Sequence, residues 1–410
     1  MDVTDAVLLE GSGPFRLDYD PGAIRYGAGA TASLSDDLAE MGFDRALVVT
    51  GTTIGETAAV MDPVSSGLGD RLAGVFAETT PEKRLSTAVA GAAAARERDA
   101  DVLVAVGGGS SIDTAKAIAT VRTRDDDPQA LGAEFAERQT LTVPDDPLPI
   151  VAVPTTFAGA DFTIGAGLSA SPAAGDLVDA EVAGGLGGTQ LGPVEAVYDP
   201  EVVATTPRSI LAGSAMNGFD KAIETLYSRH ATAITDATAT RGVRRFREGL
   251  LAFGEAGSGD YHDGVPAAVE GLLLAQYGIS RTDCTTMSVI HAAGQAVSAR
   301  GDVQQGVAHA ICAPHLLEHL LETAAVRIGL VANAFGVADG ADPETSIVDE
   351  LVAVRDALGV TTALRDVPGI DREDLPEIAA AVADHRFVAN GPADYEPTAP
   401  SLEAVLDAAW

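Results

Sequence analysis

A run of three glycines between a predicted strand and a predicted helix is the clearest functional signal of this chain. The apolar strand Asp101–Val106 leads into Gly107, Gly108 and Gly109, and a helix is predicted from about residue 112 to residue 121. Glycines allow backbone N–H groups to approach a phosphate closely, and the N-terminus of a helix adds a favourable dipole. The loop therefore predicts a phosphate-binding site, with an ordinary strand-to-helix turn as the alternative.

Polar residues within and after these glycines extend the candidate site. Ser110 can cap the helix and donate to phosphate oxygens, and Asp113 and Lys116 complete the string GGGSSIDTAK. The string differs from the GxGxxG fingerprint and from the Walker loop, which requires GK followed by serine or threonine. Ser110, Asp113 and Lys116 are therefore candidate cofactor-binding residues of a different type of nucleotide loop.

A second polar segment follows the next predicted strand, Pro149–Val153. It begins Pro-Thr-Thr-Phe, so that Thr155, Thr156 and Phe157 come soon after the strand. Ligands of α/β proteins bind at the carboxyl ends of the strands. We expect the two threonines to hydrogen-bond a nicotinamide or a ribose, and we include Phe157 in the cofactor site. The alternative is a capped turn whose threonine side chains face solvent.

Lysine is rare in this chain, and its three copies occupy different contexts. They are Lys83, Lys116 and Lys221, whereas lysine and arginine together number 26. Lys83 lies in Pro-Glu-Lys-Arg and is expected on the surface. Lys221 lies on a predicted helix with Asp220 and Glu224, which are four residues apart and therefore share a face. A chain that avoids lysine this strongly is expected to retain Lys221 for a specific role.

The elements that must position these residues divide the chain at about Pro207. Before it, short apolar strands alternate with helical stretches, which is typical of a parallel sheet with helices on both faces. After it, helical periodicity dominates. We predict an α/β dinucleotide-binding domain over 1–206 and an all-α domain over 207–410. The predicted helices of the second domain span Ser209–Arg229, Ala233–Gly254, Val265–Ser280, Thr286–Ser298, Val307–Ala324 and Ser346–Leu358.

Two segments of the first domain fall outside this alternation. Arg124–Pro147 opens with Arg-Asp-Asp-Asp-Pro and is predicted to be an exposed loop. Ser171–Gly192 is rich in glycine and alanine and is predicted to be a mobile hairpin. Neither segment carries a candidate site residue.

Composition limits the classes of partner. The formal net charge is −34 and the sequence pI is near 4.3. This charge argues against binding to nucleic acid, because phosphate backbones are bound by clustered lysine and arginine. The acidic residues are scattered along the chain, so we favour a solvated acidic surface, in the style of proteins from salt-loving organisms, over a cationic partner.

Cysteine usage and hydropathy bear on location. Cys284 and Cys312 form no disulfide framework and no CxxC motif occurs, which favours a reducing compartment. No run of 18 apolar residues occurs, so no membrane span is predicted. The first residues lack the basic and apolar regions of a signal peptide. We therefore expect a cytoplasmic protein.

Taken together, these strings resemble the iron-containing alcohol dehydrogenase family, which includes the metal-independent maleylacetate reductases and, more distantly, dehydroquinate synthase. Gly107–Lys116 is similar to the family's GGGSxxDxAK loop, and Pro154–Thr163 to its PTT segment in the form of the maleylacetate reductases. Ala196–Pro200 is similar to its strand-then-DP element, and Asn217–Tyr227 to its DAxxHAxEAY helix. The resemblance implies NAD or NADP in an α/β domain beside an all-helical domain, with hydride transfer to or from a small carbonyl or alcohol substrate. It also implies a homo-oligomer.

The metal ligands of that family, one aspartate and three histidines, correspond to different residues here. The resemblance puts Asn217 at the aspartate, Lys221 at the first histidine, His291 at the second and Gln305 at the third. Amide carbonyls are weak ligands for iron or zinc, and a protonated lysine repels a cation. We therefore expect no catalytic metal.

Lys221 is the candidate replacement for that metal. An ammonium group places positive charge and hydrogen-bond donors where oxyanion charge develops, and Asp220 or Glu224 is expected to hold it charged. Lys221 could instead donate a proton, form a Schiff base with a carbonyl substrate, or be a solvated helix lysine. A metal held by Asp220, Glu224 and His291 is disfavoured, because Glu224 matches the family's own glutamate.

Further residues complete the candidate catalytic set. His291 is expected to relay a proton or bind substrate, with a structural core histidine as the alternative. Asn217 and Gln305 are expected to hydrogen-bond substrate or to hold Lys221. His309 is four residues after Gln305, so we expect it to reach the same site.

The cofactor choice depends on a third strand, Arg45–Thr50, which ends at Gly51 and Thr52. An aspartate after this strand in many relatives binds the ribose 2′-OH and repels a 2′-phosphate. Gly51 lacks that charge, so NADP is expected alongside NAD. The competing hypothesis is a non-redox, lyase-like or catalytically altered nucleotide-binding relative of the same fold. A lysine at 221, rather than alanine or leucine, favours the reductase.

Overall fold

A computed structural model describes residues 15–17, 22–176, 178–256, 262–338 and 342–410. The described residues form two compact units, one within Asp20–Thr206 and the other made of residues 15–17 and Pro207–Trp410. Among the helices in these ranges, none combines the length and the apolar character needed to cross a membrane.

The first unit is built on a six-stranded parallel sheet. In chain order the strands of the unit are β1 (Ala23–Tyr26), β2 (Ala46–Gly51), β3 (Leu72–Thr79), β4 (Val102–Gly107), β5 (Ile150–Pro154), β6 (Gly165–Ala170), β7 (Val182–Gly187) and β8 (Glu195–Tyr198). The main sheet has the order β1-β8-β5-β4-β2-β3 with every pair parallel. β6 and β7 form a separate antiparallel pair. The predicted parallel sheet is confirmed.

Helices cover both faces of this sheet. They are α1 (Leu34–Met41), α2 (Thr52–Gly55), α3 (Ala58–Leu68), α4 (Leu85–Glu97), α5 (Gly109–Arg122), α6 (Pro128–Arg138) and α7 (Pro200–Ala204). Leu103 and Ala105 on β4 belong to one hydrophobic cluster and Val102 and Val104 to another, because successive side chains of a strand point to opposite faces. The fully buried strand is apolar throughout, as parallel strands covered on both sides require.

The second unit is all-helical in the described ranges, apart from its turns. Its α-helices are α8 (Arg208–Tyr227), α9 (Ala233–Glu255), α10 (Val265–Ile279), α11 (Val289–Arg300), α12 (Gln305–Thr323), α13 (Ile328–Phe335), α14 (Pro343–Leu358), α15 (Leu375–Ala383) and α16 (Ala399–Ala408). α8 is buried along most of its length, and its Phe219 packs against Phe246 and Phe335 with ring centroids 5.6 and 6.0 Å away. This burial makes α8 the central helix of the unit.

Two segments of the first unit differ from the expectation. Arg124–Pro147, predicted as a loop, contains α6, because the Asp127 carboxylate accepts a hydrogen bond from the Ala130 N–H at 2.8 Å and Pro128 takes the first helical position. The hairpin predicted over Ser171–Gly192 begins earlier, since Gly165 on β6 pairs with Gly187 on β7.

Candidate active site

The glycine loop connects β4 to α5 in a geometry that excludes side chains. Gly107 has a φ of 144°, which glycine adopts readily and other residues rarely do. A β-carbon at Gly107 would lie 2.6 Å from Ser111 Oγ, and one at Gly108 would lie 3.0 Å from Thr156 Cγ2. α5 begins directly after them, at Gly109. Because the first N–H groups of a helix have no intrahelical acceptor, this end offers donors to a phosphate.

Lys116 is hydrogen-bonded within the first unit. Its side chain is fully buried, and its Nζ donates to Thr163 Oγ1 at 2.8 Å and to the carbonyl oxygens of Ala160 and Gly165, both at 3.2 Å. An ammonium has three N–H donors, and three protein oxygens take them. Burial lowers the pKa of Lys116 to about 8. In this geometry Lys116 holds the segment after β5, and its expected contact with a cofactor stays a prediction.

Asp113 and Lys83 also interact within the unit. The Lys83 Nζ lies 2.5 Å from Asp113 Oδ2, which accepts a second hydrogen bond from the Gly167 N–H at 3.2 Å. Lys83 is therefore a partly buried partner of α5 and not the surface lysine that was expected. The Asp113 carboxylate is directed toward Lys83 and β6, so it links the helix that follows the glycine loop to these two segments.

The segment after β5 contributes one accessible side chain of the three predicted. Thr156 is half-buried beside Gly108, whereas Thr155 is 1% exposed and Phe157 is fully buried. Thr155 joins the strand ends through its backbone, since its N–H donates to the Gly107 carbonyl at 3.1 Å. Its hydroxyl oxygen has no hydrogen-bond partner among the described residues. The expected contact of Phe157 with the cofactor stays a prediction, since its side chain is buried here.

The end of β2 remains open to solvent. Gly51 is half-buried and Thr52 is exposed, and the Thr52 hydroxyl donates to the Ala77 carbonyl at 2.9 Å. Neither residue carries an acid, so no carboxylate at these two positions would repel a 2′-phosphate.

In the helical unit, Glu224 on α8 holds His291 on α11. Glu224 Oε2 lies 2.5 Å from His291 Nδ1, while Oε1 accepts the backbone N–H groups of Ile290 and His291 at 2.8 and 3.1 Å. Both side chains are buried. Burial raises the pKa of Glu224 to about 7 and lowers the pKa of His291 well below its usual value. His291 Nε2 has no partner among the described residues, so the ring can use this nitrogen toward a ligand.

A second pair of the same kind joins α8 to α12. His309 Nδ1 lies 3.0 Å from Asp220 Oδ2, and His309 Nε2 lies 3.4 Å from the Gln305 side-chain nitrogen. Asp220 and His309 are fully buried, which raises the pKa of Asp220 and lowers that of His309 to about 4. No sequence pattern predicts a partner for His309. The two carboxylates thus engage imidazoles, a role that sequence reasoning had not given them.

The two histidines also contact each other, beside Lys221. Their rings stand edge to face with centroids 4.5 Å apart and planes at 86°. Lys221 is 4% exposed, and its positive charge further lowers the pKa of both imidazoles. A solvated helix lysine, one of the alternatives for Lys221, is thereby excluded. Asn217 and Gln305 are half-buried on the same two helices that carry Lys221 and His309.

The residues present do not fit a divalent metal. Across the described ranges, no group of three or more histidine, cysteine, aspartate or glutamate side chains has an arrangement that could hold a metal ion. The nearest candidates, Asp220, Glu224, His291 and His309, are engaged in two carboxylate–imidazole pairs. The buried ammonium of Lys221 adds positive charge to the site, and this charge opposes the binding of a cation.

Comparison with known proteins finds similarity over nearly the whole chain. Residues 21–200 match the family model described as iron-containing alcohol dehydrogenase, and residues 211–410 match its C-terminal counterpart. Lactaldehyde reductase of Escherichia coli strain K12 is 27% identical, covering 94% of this chain and 97% of that protein. Maleylacetate reductase of Pseudomonas aeruginosa is 26% identical, covering 91% and 92%. The crystal structure of sulfoacetaldehyde reductase from Bifidobacterium kashiwanohense in complex with NAD+ superposes with a TM-score of 0.81 at 21% identity, covering 96% and 99%.

Proposed function

The chain belongs to the iron-containing alcohol dehydrogenase family and is an oxidoreductase, and from this premise we propose that it works without a catalytic metal. In this proposal a small carbonyl or alcohol substrate exchanges a hydride with NAD or NADP, and Lys221 takes the part of the Lewis acid. The observation that carries the proposal is that Lys221 is buried and that its charge lowers the pKa of both the His291 and the His309 imidazole. The resemblance to the family puts Lys221 at the position of a metal ligand.

A buried ammonium suits this role because it acts on the substrate oxygen in two ways. It donates hydrogen bonds, and its charge stabilises an oxygen that becomes negative as the hydride arrives. The nicotinamide, when bound, supplies or accepts the hydride. In a site screened from water the charge has more effect than it would on the surface. The low pKa of His309, about 4, supports the same assignment, because an uncharged ring leaves Lys221 as the cation beside it.

His291 has the second role in the proposed site. Its Nδ1–H is held by Glu224 at 2.5 Å, which leaves Nε2 as a hydrogen-bond acceptor. An acceptor beside Lys221 can orient a substrate hydroxyl through a hydrogen bond. Asn217 and Gln305 are proposed to bind the substrate through their amides. The glycine loop over Gly107–Ser110 and Thr156 are proposed to bind the cofactor.

We propose further that both NAD and NADP are accepted. The support is Gly51 at the end of β2, where no carboxylate opposes a 2′-phosphate. NAD is the cofactor in the crystal structure of the sulfoacetaldehyde reductase described above.

The experiment replaces Lys221 by methionine, which retains the shape of the side chain and removes its charge. Wild type and variant are assayed for NADH and NADPH oxidation with a panel of aldehydes and keto acids. We predict that kcat falls by about 100-fold or more in Lys221→Met, as when one donor to a developing oxyanion is lost. Arg241→Met is the matched control, since this exposed arginine of the same unit pairs with Glu270, and we expect it to retain activity.

Three outcomes would each contradict a different part of the proposal. Undiminished kcat in Lys221→Met would remove the lysine from the mechanism. Stoichiometric iron or zinc in protein purified from metal-supplemented cells, measured by elemental analysis, would refute the metal-free site. A wild type that binds NADH but reduces no carbonyl would favour a non-redox relative of the same fold.

A further inference from the structure

We infer that Asp220 is a positioning residue, which acts through His309 to fix the orientation of the Gln305 side-chain amide. The three side chains form a continuous chain of contacts: Asp220 Oδ2 to His309 Nδ1 at 3.0 Å, and His309 Nε2 to the Gln305 nitrogen at 3.4 Å. Asp220 occupies a position that the family's DAxxHAxEAY helix leaves open.

The proton positions follow from the chemistry of a neutral imidazole, which has one N–H donor and one acceptor nitrogen. When an ionised Asp220 accepts the Nδ1–H of His309, the other ring nitrogen, Nε2, must accept. The Gln305 atom that faces Nε2 must then be the amide nitrogen, because a carbonyl oxygen there would meet a lone pair. Two lone pairs in contact repel each other. The Asp220 carboxylate therefore sets the orientation of the Gln305 amide through His309.

The packing of His309 prevents the ring from rotating to an alternative position. Gly294 on α11 lies against it so closely that a β-carbon there would be 2.1 Å from His309 Cδ2. The His291 ring stands against another side with centroids 4.5 Å apart. Asp220 and His309 are both fully buried, so water does not compete for their hydrogen bond. Packing therefore fixes the position of the His309 ring, and Asp220 fixes its proton on Nδ1.

The consequence for the substrate is a defined acceptor. With its nitrogen directed to His309, Gln305 turns its carbonyl oxygen the other way. That oxygen can accept a hydrogen bond from a substrate hydroxyl, while Lys221 supplies donors to a substrate oxygen. This last step rests on the proposed function, whereas the orientation of the amide does not.

The first test measures the tautomer of His309 directly. Nitrogen-15 NMR of histidine-labelled protein, with His309 assigned by loss of its signals in His309→Asn, reports which ring nitrogen carries the proton. We expect protonated Nδ1 in the wild type and a population of protonated Nε2 in Asp220→Asn. A wild-type ring protonated at Nε2 would overturn the inference. Asp236→Asn, whose carboxylate pairs with Arg327 instead, should leave the His309 signals unchanged.

The second test is a double-mutant cycle between positions 220 and 305. Asp220→Asn should lower kcat/KM by about 10- to 100-fold, as typical for loss of a residue that orients a ligand group. Gln305→Glu should also lower it, because a carboxylate has no donor for Nε2. The double variant should regain at least about 10-fold over Gln305→Glu, since a protonated Nε2 then donates to the new carboxylate.

Strictly additive losses in that cycle would refute the coupling between Asp220 and Gln305. A merely structural role for Asp220 also predicts additivity, so the rescue separates the two roles. If the NMR result is as expected but no carbonyl compound is reduced, the proposed function fails and the assignment of Asp220 stands.

Discussion

Buried acids in this protein change their proton affinity according to what surrounds them, and the effect is not confined to the candidate active site. Glu195, the first residue of β8, is 3% exposed. Burial, and then the negative charge of Asp37, raises its pKa to about 7, although Arg25 lies 3.8 Å away. Arg25 is committed to Asp37, with its Nε 2.5 Å from Asp37 Oδ2. The positive charge of Arg25 therefore only partly balances the negative charge of an ionised Glu195.

This geometry predicts a pH dependence of stability with a definite sign. The folded pKa of Glu195 lies above its ordinary value of 4.5, so the folded state binds the proton more tightly than the unfolded state does. The stabilisation is fully present below about pH 4.5 and is lost as the pH rises through about 7. Glu195→Gln should therefore melt at a higher temperature than wild type at pH 8, with a smaller or no difference at pH 5.

The measurement is the melting temperature between pH 5 and pH 8 at constant salt. Glu201→Gln is the matched control, because Glu201 is an exposed carboxylate close by on α7. Parallel melting curves for Glu195→Gln and wild type across this range would show that Glu195 does not titrate there.

At the residue scale, sequence reasoning proposed the candidate residues but not their pairings. The glycine loop was predictable because consecutive glycines after an apolar strand have few other uses. Lys221 was predictable from its rarity and from its register in a family motif. The partnership of Asp220 with His309 was not, because 89 residues separate them and only the packing of α12 against α8 brings them together. The protein hydrogen bonds of buried Lys116 were not predictable either, because a motif carries no information about which way a side chain points.

At the scale of elements, the candidate active site depends on the close approach of two helices. Gly294 on α11 leaves the space that the His309 ring on α12 occupies. Gly294→Ala would ordinarily stabilise a helix, since alanine has the higher helix propensity. Here the added methyl group would overlap the ring, so we predict the opposite sign, a loss of about 1–3 kcal/mol in the free energy of unfolding. Denaturant titration measures this loss of unfolding free energy. A kinetic assay should also show a lowered kcat.

Gly242→Ala provides the matched comparison for this prediction. Gly242 is also a helix glycine of the same unit, but a β-carbon there would lie 3.3 Å from its nearest neighbour, the Gly271 carbonyl oxygen. We expect a smaller loss of stability at this position and unchanged activity. A Gly294→Ala protein as stable as Gly242→Ala would mean that the helices separate easily, and the rigid placement of His309 would be wrong.

Element boundaries were predictable where periodicity was long. The five longest helices of the second unit, α8, α9, α10, α12 and α14, were all expected within a few residues of their observed ends. Short elements were not predicted. One of them is α6, whose signal is a capping Asp127 followed by Pro128 rather than an apolar stripe. The helices α13, α15 and α16 were also not predicted, because 8 to 10 residues give too few turns for a clear period.

For the whole molecule, charge is the dominant property. A formal net charge of −34 over 410 residues implies strong self-repulsion of the folded state. Salt reduces the range of that repulsion from about 10 Å at 0.1 M to about 3 Å at 1 M. We predict that the melting temperature rises by several degrees between dilute buffer and molar potassium chloride. An unchanged melting temperature would refute the assignment of a salt-adapted surface.

The control for this prediction separates screening from other effects of cosolutes. Sucrose at the same osmolality stabilises folded proteins through exclusion from their surface and does not screen charge. We therefore expect potassium chloride to raise the melting temperature by clearly more than sucrose does. Equal shifts with both cosolutes would attribute the stabilisation to exclusion and not to the acidic surface.

The order of strands in the main sheet also has a consequence for how the protein is made. β1 pairs only with β8, with Ala23 opposite Glu195 and Tyr26 opposite Tyr198, and the Asp199 carboxylate accepts hydrogen bonds from the Gly29 and Thr31 N–H groups, both at 3.1 Å. A ribosome synthesises the chain from its N-terminus, so β1 leaves it long before its partner exists. The first strand must wait, unpaired, until some 170 further residues have been translated. The last strand of the sheet to emerge is the one that completes it, and such pairing of distant segments folds slowly.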